Sequence, residues 1–201
     1  MGKMNLLKAN YEGKVGQTVG AKWKNVSTLR TYTKPSNPNT DAQQTVRSGF
    51  AAINEFVALF ADQIRYKSAL DTSSMSVRNA IVKLNSDMVA SNSFSKADLV
   101  ISKGGLQKVA GEAGSATSGK VTITWSAPTA TNFTDDAKLI AVLVQEASGM
   151  VEVLEAEATA LTATGALTFE EGTVDAYVYF LDTRGSNKIA SLSDYISITI
   201  A

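Results

Sequence analysis

The apolar residues of this chain change period partway along, and that change constrains the fold more than any other feature. From Val46 to Met88 they recur at steps of three and four, and from Val121 to Ile200 largely at steps of two. The first step keeps one face of a helix apolar and the second keeps one face of a strand apolar, so neither segment can take the other's structure and still bury its side chains. The chain is therefore predicted to be α+β, with helices ahead of residue 100 and sheet behind it. Its 201 residues and 44% hydrophobic content are enough to bury a core, as one large domain or two small ones.

The helical stripe comprises Val46, Phe50, Ile53, Val57, Phe60 and Ile64, widened by Phe56 and Leu59, and predicts a helix ending near Lys67. Thr40 followed by Gln43 has capping-box spacing, and Asp41 suits the positive end of the helix dipole. A second helix is predicted from Ser73 or Ser74, with Val77, Ile81, Leu84 and Met88 at the same spacing. The phenylalanines read as core, since burying each contributes about 1.5–3 kcal/mol.

Ahead of the helices, residues 1–12 read as an arm or an edge strand. Next, Val15, Gln17, Val19, Ala21 and Trp23 alternate with Gly16, Thr18, Gly20, Lys22 and Lys24, which predicts a strand with a glycine-rich back. Asn25 reads as a turn, and Val26 to Thr33 as the returning strand. No Gly-Lys-Ser/Thr closes the glycine spacing and no helix follows directly, so it is not a phosphate-binding loop. Pro35 and Pro38 then impose an extended corner.

After the helices, Leu99 to Ile101 reads as a short strand closed by Gly104 and Gly105, and residues 111–119 read as a linker. Two units follow from this division: a hairpin with two helices over 1–110, and a β-sandwich over 120–201. The sandwich strands are predicted from Val121 to Trp125, Lys138 to Glu146, Val151 to Glu157, Ala166 to Phe169, Val174 to Asp182 and Tyr195 to Ile200. Lys138 to Glu146 is apolar on both faces, as a central strand is.

Histidine and cysteine are both absent, which removes imidazole bases, thiol nucleophiles, disulfides and thiolate zinc sites. The carboxylate pairs Asp135-Asp136 and Glu170-Glu171 lie beside turn signals with no partner base, and read as solvated loop tips. The expectation is a protein without enzymatic activity, cofactor or metal. The 19 basic and 19 acidic residues cancel but are not mixed. Residues 1–50 hold eight Lys or Arg against two acidic residues, and residues 151–201 hold eight acidic residues against two basic ones. Such asymmetry steers one charged surface onto another. The basic stretch carries Trp23 and Tyr32, a mix that nucleic-acid binders use, but overall neutrality and the lack of a nucleic-acid motif favour a protein partner. No signal-like or membrane-spanning run is present, so the chain is expected to be soluble and made inside a cell.

Two resemblances add to this. The phrases VTITWSAP and VDAYVYFLDTRG resemble fibronectin type III sequences, which implies an immunoglobulin-like sandwich for the C-terminal part. Gly13, Lys14, Val15, Gly16, Trp23, Lys24, Arg30, Asn37, Pro38, Thr40, Gln43, Arg47 and Phe50 together resemble the N-terminal signature of a family of uncharacterised proteins from Bacteroidetes and their phages. Asn25 departs from the glycine that often follows the Trp-Lys pair there. The resemblance implies a virion component, placed at the head or neck and synthesised in the host cytoplasm: a capsid-associated auxiliary, decoration or head-fibre protein. Its partners are then capsid or other virion proteins, or further copies of itself. Trp23, Lys24, Arg30 and Arg47 are the expected partner contacts. Two other readings stand beside it: a neck or tail-ring adaptor, and a carbohydrate-binding module using Trp125, Tyr177, Tyr179 and Tyr195.

Overall fold

The computed structural model describes residues 13–23, 26–34, 36, 39–64, 70, 75–129, 133, 136–182 and 189–201. They belong to two units, residues 1–39 and residues 40–201.

The first unit is a three-stranded antiparallel ribbon of β1 (Gly13–Val15), β2 (Thr18–Trp23) and β3 (Val26–Thr31). The single strand expected from Val15 to Lys24 is not formed. Gly16, at φ +59°, and Gln17 make a two-residue turn instead, and glycine takes that left-handed conformation at no steric cost. Lys14 is registered against Val19, and Val19 against Arg30, so these three residues stand in a row across one face. The Tyr32 N–H donates to the Gln17 carbonyl at 2.7 Å, which carries the pairing past the end of β3. The arm at 1–12, the turn at Asn25, and Pro35 and Pro38 lie outside the described residues.

In the second unit the helices are α1 (Asp41–Phe60), α2 (Val77–Leu84) and α3 (Ser86–Ser91). The Thr40 hydroxyl accepts from the Gln43 N–H at 3.4 Å and starts α1 where the capping spacing predicts. The helix stops at Phe60, short of the expected end, and runs on only as a turn; Lys67 lies outside the described residues. Ser76 caps α2, while Ser73 and Ser74 also lie outside them. The buried stripe of α1 is Gly49, Ile53, Phe56, Val57 and Phe60, so Val46 and Phe50, expected in the core, are instead about half exposed. Gly49 explains part of this. A Cβ there would stand 2.4 Å from the Val89 carbonyl, so α3 crosses α1 at van der Waals distance from its backbone.

Strands β4 (Ala113–Thr117), β5 (Lys120–Thr124), β6 (Ala137–Gln145), β7 (Met150–Glu157), β8 (Thr162–Thr164), β9 (Gly172–Asp182), β10 (Ile189–Ala190) and β11 (Asp194–Ile200) form two antiparallel sheets. One has the order β4-β5-β8. The other has the order β7-β6-β9, with β10 and β11 pairing in turn along the far side of β9. The segment 111–119 is therefore no linker. It holds β4, paired residue for residue with β5 from Ala113↔Thr124 to Thr117↔Lys120. Small polar residues suffice there because β4 is an edge strand with its outward positions in solvent. The strand expected at Ala166 to Phe169 is also absent, and β8 lies just before it.

The two long central strands bury side chains both ways. Leu139, Ala141 and Leu143 of β6, with Val174, Ala176, Val178 and Phe180 of β9, pack on Val121, Ile123 and Trp125 of the smaller sheet. The intervening residues Ile140, Val142, Val144, Tyr177, Tyr179 and Leu181 pack on Ile53, Phe56, Phe60 and Ile81 of the helices. The helices thus form a third layer on the larger sheet, and the expected boundary between a helical unit and a sandwich does not exist.

Leu99 to Ile101, expected as a strand, pairs with no strand. The buried Asn85 side chain, at the break between α2 and α3, takes that place. Its Nδ2 donates to Val100 O at 2.8 Å and to Ile81 O at 2.8 Å, and its Oδ1 accepts from Val100 N at 2.9 Å. Replacing Asn85 by Ala leaves the Val100 N–H and carbonyl without these partners, and is expected to cost about 2–3 kcal/mol, read from the midpoint of urea denaturation.

Candidate functional site

On the ribbon, Lys14, Arg30 and Tyr32 are exposed side by side. Lys14 Nζ lies 3.6 Å from the centroid of the Tyr32 ring, a contact of about 0.5–1 kcal/mol at an exposed site. With Val19, Arg30, Thr31 and Thr33 these two residues border an open hollow of about 390 Å³. Tyr32 is 42% exposed, and Lys14 and Arg30 are also exposed. Two cations and an aromatic face on a flat ribbon can hold a carboxylate-bearing partner, with the Arg30 fork free to take one bidentately.

Of the expected contact residues, Arg30 lies on this face. Trp23 ends β2 in register with Val26, and Lys24 lies outside the described residues. Arg47 belongs to the other unit, exposed on the first half of α1 between the half-exposed Val46 and its neighbour Phe50. Lys14 and Tyr32 were not among the expected contacts. They are eighteen positions apart, and only the register of the ribbon makes them neighbours.

The aromatic residues of the carbohydrate reading are occupied elsewhere. Trp125 is 4% exposed and donates its Nε1–H to the Ala158 carbonyl at 2.8 Å, joining the two sheets. Tyr177 and Tyr179 are buried, so neither offers a ring face to a sugar. Asp136, Glu170 and Glu171 are exposed, and Asp135 lies outside the described residues. Among the described residues no group of three or more acidic side chains could hold a metal ion, and no helix is long and apolar enough to cross a membrane.

A second polar cluster lies between the helices and the larger sheet. Asp175 on β9, 3% exposed in its side chain, receives Lys96 Nζ at 3.0 Å on one oxygen and the Tyr195 hydroxyl at 2.7 Å on the other. Lys96 also pairs with Glu146 at 2.5 Å and lies 5.1 Å from the centre of the Phe56 ring, while its carbonyl accepts from the Tyr177 hydroxyl at 2.9 Å. Burial would lower the Lys96 ammonium, but its hydrogen bonds to Glu146 and Asp175 outweigh that and hold it above the ordinary lysine value. Burial, with Asp175 close by, pushes both Tyr177 and Tyr195 upward, so both stay protonated donors. Every buried side-chain polar atom among the described residues has a hydrogen-bond partner, so this cluster is a closed tie between layers.

A third cluster joins β11 to the approach to β4. Lys108 Nζ lies 2.6 Å from Asp194, whose carboxylate also bonds the Glu112 carboxyl. Burial raises Glu112, and its bond to Asp194 raises it further. Burial also pushes Asp194 up, but the bonds from Lys108, Glu112 and the Tyr195 N–H outweigh it and hold Asp194 below the ordinary value.

Comparison with known proteins adds a family but no activity. A family model described as a family of unknown function (DUF6266) matches residues 10–197. No curated protein matches the chain. One solved structure, a family 76 glycoside hydrolase from a bovine Bacteroides thetaiotaomicron strain, is similar over 47% of this chain and 20% of that one, at 16% identity and a TM-score of 0.35. The match spans a fifth of that enzyme chain, and a likeness so slight carries no argument.

Two outcomes follow from the clusters. Lys96→Met strands the buried Asp175 carboxylate and is expected to lower stability by about 2–4 kcal/mol, whereas Lys96→Met with Asp175→Asn recovers part of that; thermal or urea unfolding of the cycle measures the coupling. The raised Glu112 makes the folded state bind a proton more tightly than the unfolded chain, so its contribution is greatest at low pH and is lost as pH rises from about 4.5 through the raised value. Asp194 acts oppositely, its contribution being lost as pH falls below 3.8 through the lowered value. The Tm of Glu112→Gln relative to the parent is therefore expected to climb as pH rises above 4.5, and a difference that does not vary with pH would refute the raised Glu112 carboxyl.

Proposed function

We propose that the chain, which belongs to the family of unknown function DUF6266, is a non-enzymatic structural protein of a phage virion. In this reading it is a capsid-associated auxiliary, decoration or head-fibre protein that acts through protein–protein contacts at the head or neck. The observation that carries it is the ribbon. None of its apolar side chains among the described residues is buried. Small sheets of that kind gain stability by packing against something else, and here the outward residues are Lys14, Arg30 and Tyr32. The resemblance of the Gly13 to Phe50 signature to Bacteroidetes-phage proteins supports the virion setting.

The second part of the proposal concerns the strands. We read them as an immunoglobulin-like sandwich of fibronectin type III kind. Three things support this: the order β4-β5-β8 in one sheet, the neighbours β6, β9 and β11 in the other, and Trp125 buried between the sheets. Such a sandwich is a rigid support that needs no reactive centre, and the closed polar ties fit that role.

A neck or tail-ring adaptor remains the alternative, and a fixed cyclic oligomer by native mass spectrometry would favour it. The test of the main reading is particle incorporation. A folded Trp23→Ala, Arg30→Ala double variant is expected to be depleted at least about tenfold from purified particles, the loss expected when hot-spot aromatic and arginine anchors are removed. Full incorporation of that variant would count against the ribbon as the contact.

A further inference from the structure

The division between the two units is also a division of charge. Residues 1–39 contain seven Lys or Arg and one Glu, a net charge of +6. Residues 40–201 contain twelve Lys or Arg and eighteen Asp or Glu, a net charge of −6. A chain that is neutral as a whole is thus built from two units of equal and opposite charge, and each copy carries the complement of the surface it presents.

The positive unit shows part of its charge on an exposed face of the ribbon, at Lys14 and Arg30 beside Tyr32. The negative unit holds part of its charge on a rigid rim. Gln145, 1% exposed at the end of β6, donates to the Glu170 carbonyl at 2.8 Å and accepts from the Glu170 N–H at 3.2 Å and the Ser148 hydroxyl at 2.7 Å. The Glu152 carboxylate accepts from Ala166 N at 2.7 Å and Leu167 N at 3.2 Å. These bonds fasten the loop at 146–149 to the loop at 165–171, and the exposed Glu146, Glu170 and Glu171 project from the same end of the larger sheet. Lys96 answers Glu146 alone of the three, by the ion pairs described.

We propose that the ribbon face of one copy docks on the acidic rim of a second copy, so that the protein assembles head to tail. This deepens the reading of the ribbon as a contact surface and rests on it; the occupant is a further copy because the chain itself supplies matching charge in equal amount. The contact is heterologous, since the two surfaces differ, so it propagates from copy to copy into assemblies that grow with concentration, whereas a single fixed ring is the signature of the adaptor reading. Its strength falls with salt, because exposed charges are screened beyond about 8 Å at physiological ionic strength.

Sedimentation velocity of the purified full chain, with no particle present, tests this. The parent is expected to form species that grow with protein concentration at low salt and dissociate at high salt. Lys14→Glu with Arg30→Glu, and separately Glu170→Lys with Glu171→Lys, are each expected to weaken association at least about tenfold, as several exposed pairs turned from attraction to repulsion should. An equimolar mixture of the two variants restores it, because each then meets the reversed charge on the other. Circular dichroism checks that each variant is folded, and the milder Lys14→Gln with Arg30→Gln replaces the first if it is not. A parent that stays monomeric at every concentration and salt overturns the proposal, as does association that neither reversal weakens or a mixture that fails to recover. Incorporation of a strictly monomeric chain into particles would overturn self-assembly while leaving the proposed function standing, so the two failures are distinguishable.

Discussion

Strands β6 and β9 present apolar side chains on both of their faces, and the architecture of residues 40–201 depends on that one constraint. A strand apolar on a single face can leave the other to water, but these two cannot. The smaller sheet covers one side through Val121, Ile123 and Trp125, and α1 and α2 cover the other through Ile53, Phe56, Phe60 and Ile81. Helices and sheets are therefore one folding unit. The helices could not be detached without exposing Ile140, Val142, Val144, Tyr177 and Tyr179 together, a loss on the order of 10 kcal/mol at about 1.5–3 kcal/mol for each large side chain.

Polar contacts then set how the layers meet. Asp175 is buried near the start of β9, where an unpaired carboxylate would be costly, and Lys96 and Tyr195 bring it a cation and a donor. Asn85 performs a similar service at the break between α2 and α3, holding the segment at Val100 that no strand pairs. Both ties join residues far apart in sequence, and both are fully satisfied. They fix the position of the helical layer more than they add to its gross stability, since hydrogen bonds exchanged with water contribute only about 0.5–1.5 kcal/mol each.

The ribbon obeys different physics. It has strands, a glycine turn and a cation–π contact, yet no buried apolar side chain among those described. That contrast between a dense unit of net negative charge and a thin unit of net positive charge is the basis of the functional reading. The family match covers residues 10–197 without supplying an activity.

Local chemistry in the sequence determined the start of α1 at Thr40, the alternation of β5 and β11, the apolar runs of β6 and β9, and the segregation of basic from acidic residues. Each depends on neighbours a few positions apart or on simple counting, so each can be read without coordinates. The doubly apolar run at 138–146 even announced a central strand, although not what would cover it. Tertiary structure alone decided the rest. β4 hides in a glycine-rich polar stretch because its partner β5, and not its own composition, makes it a strand. Val46 and Phe50 share the helical spacing of the core but are about half exposed, and spacing carries no information about where a neighbour ends. Lys14, Arg30 and Tyr32 meet because of a turn at Gly16 and the register it imposes, a relation between strands that no single stretch of sequence contains.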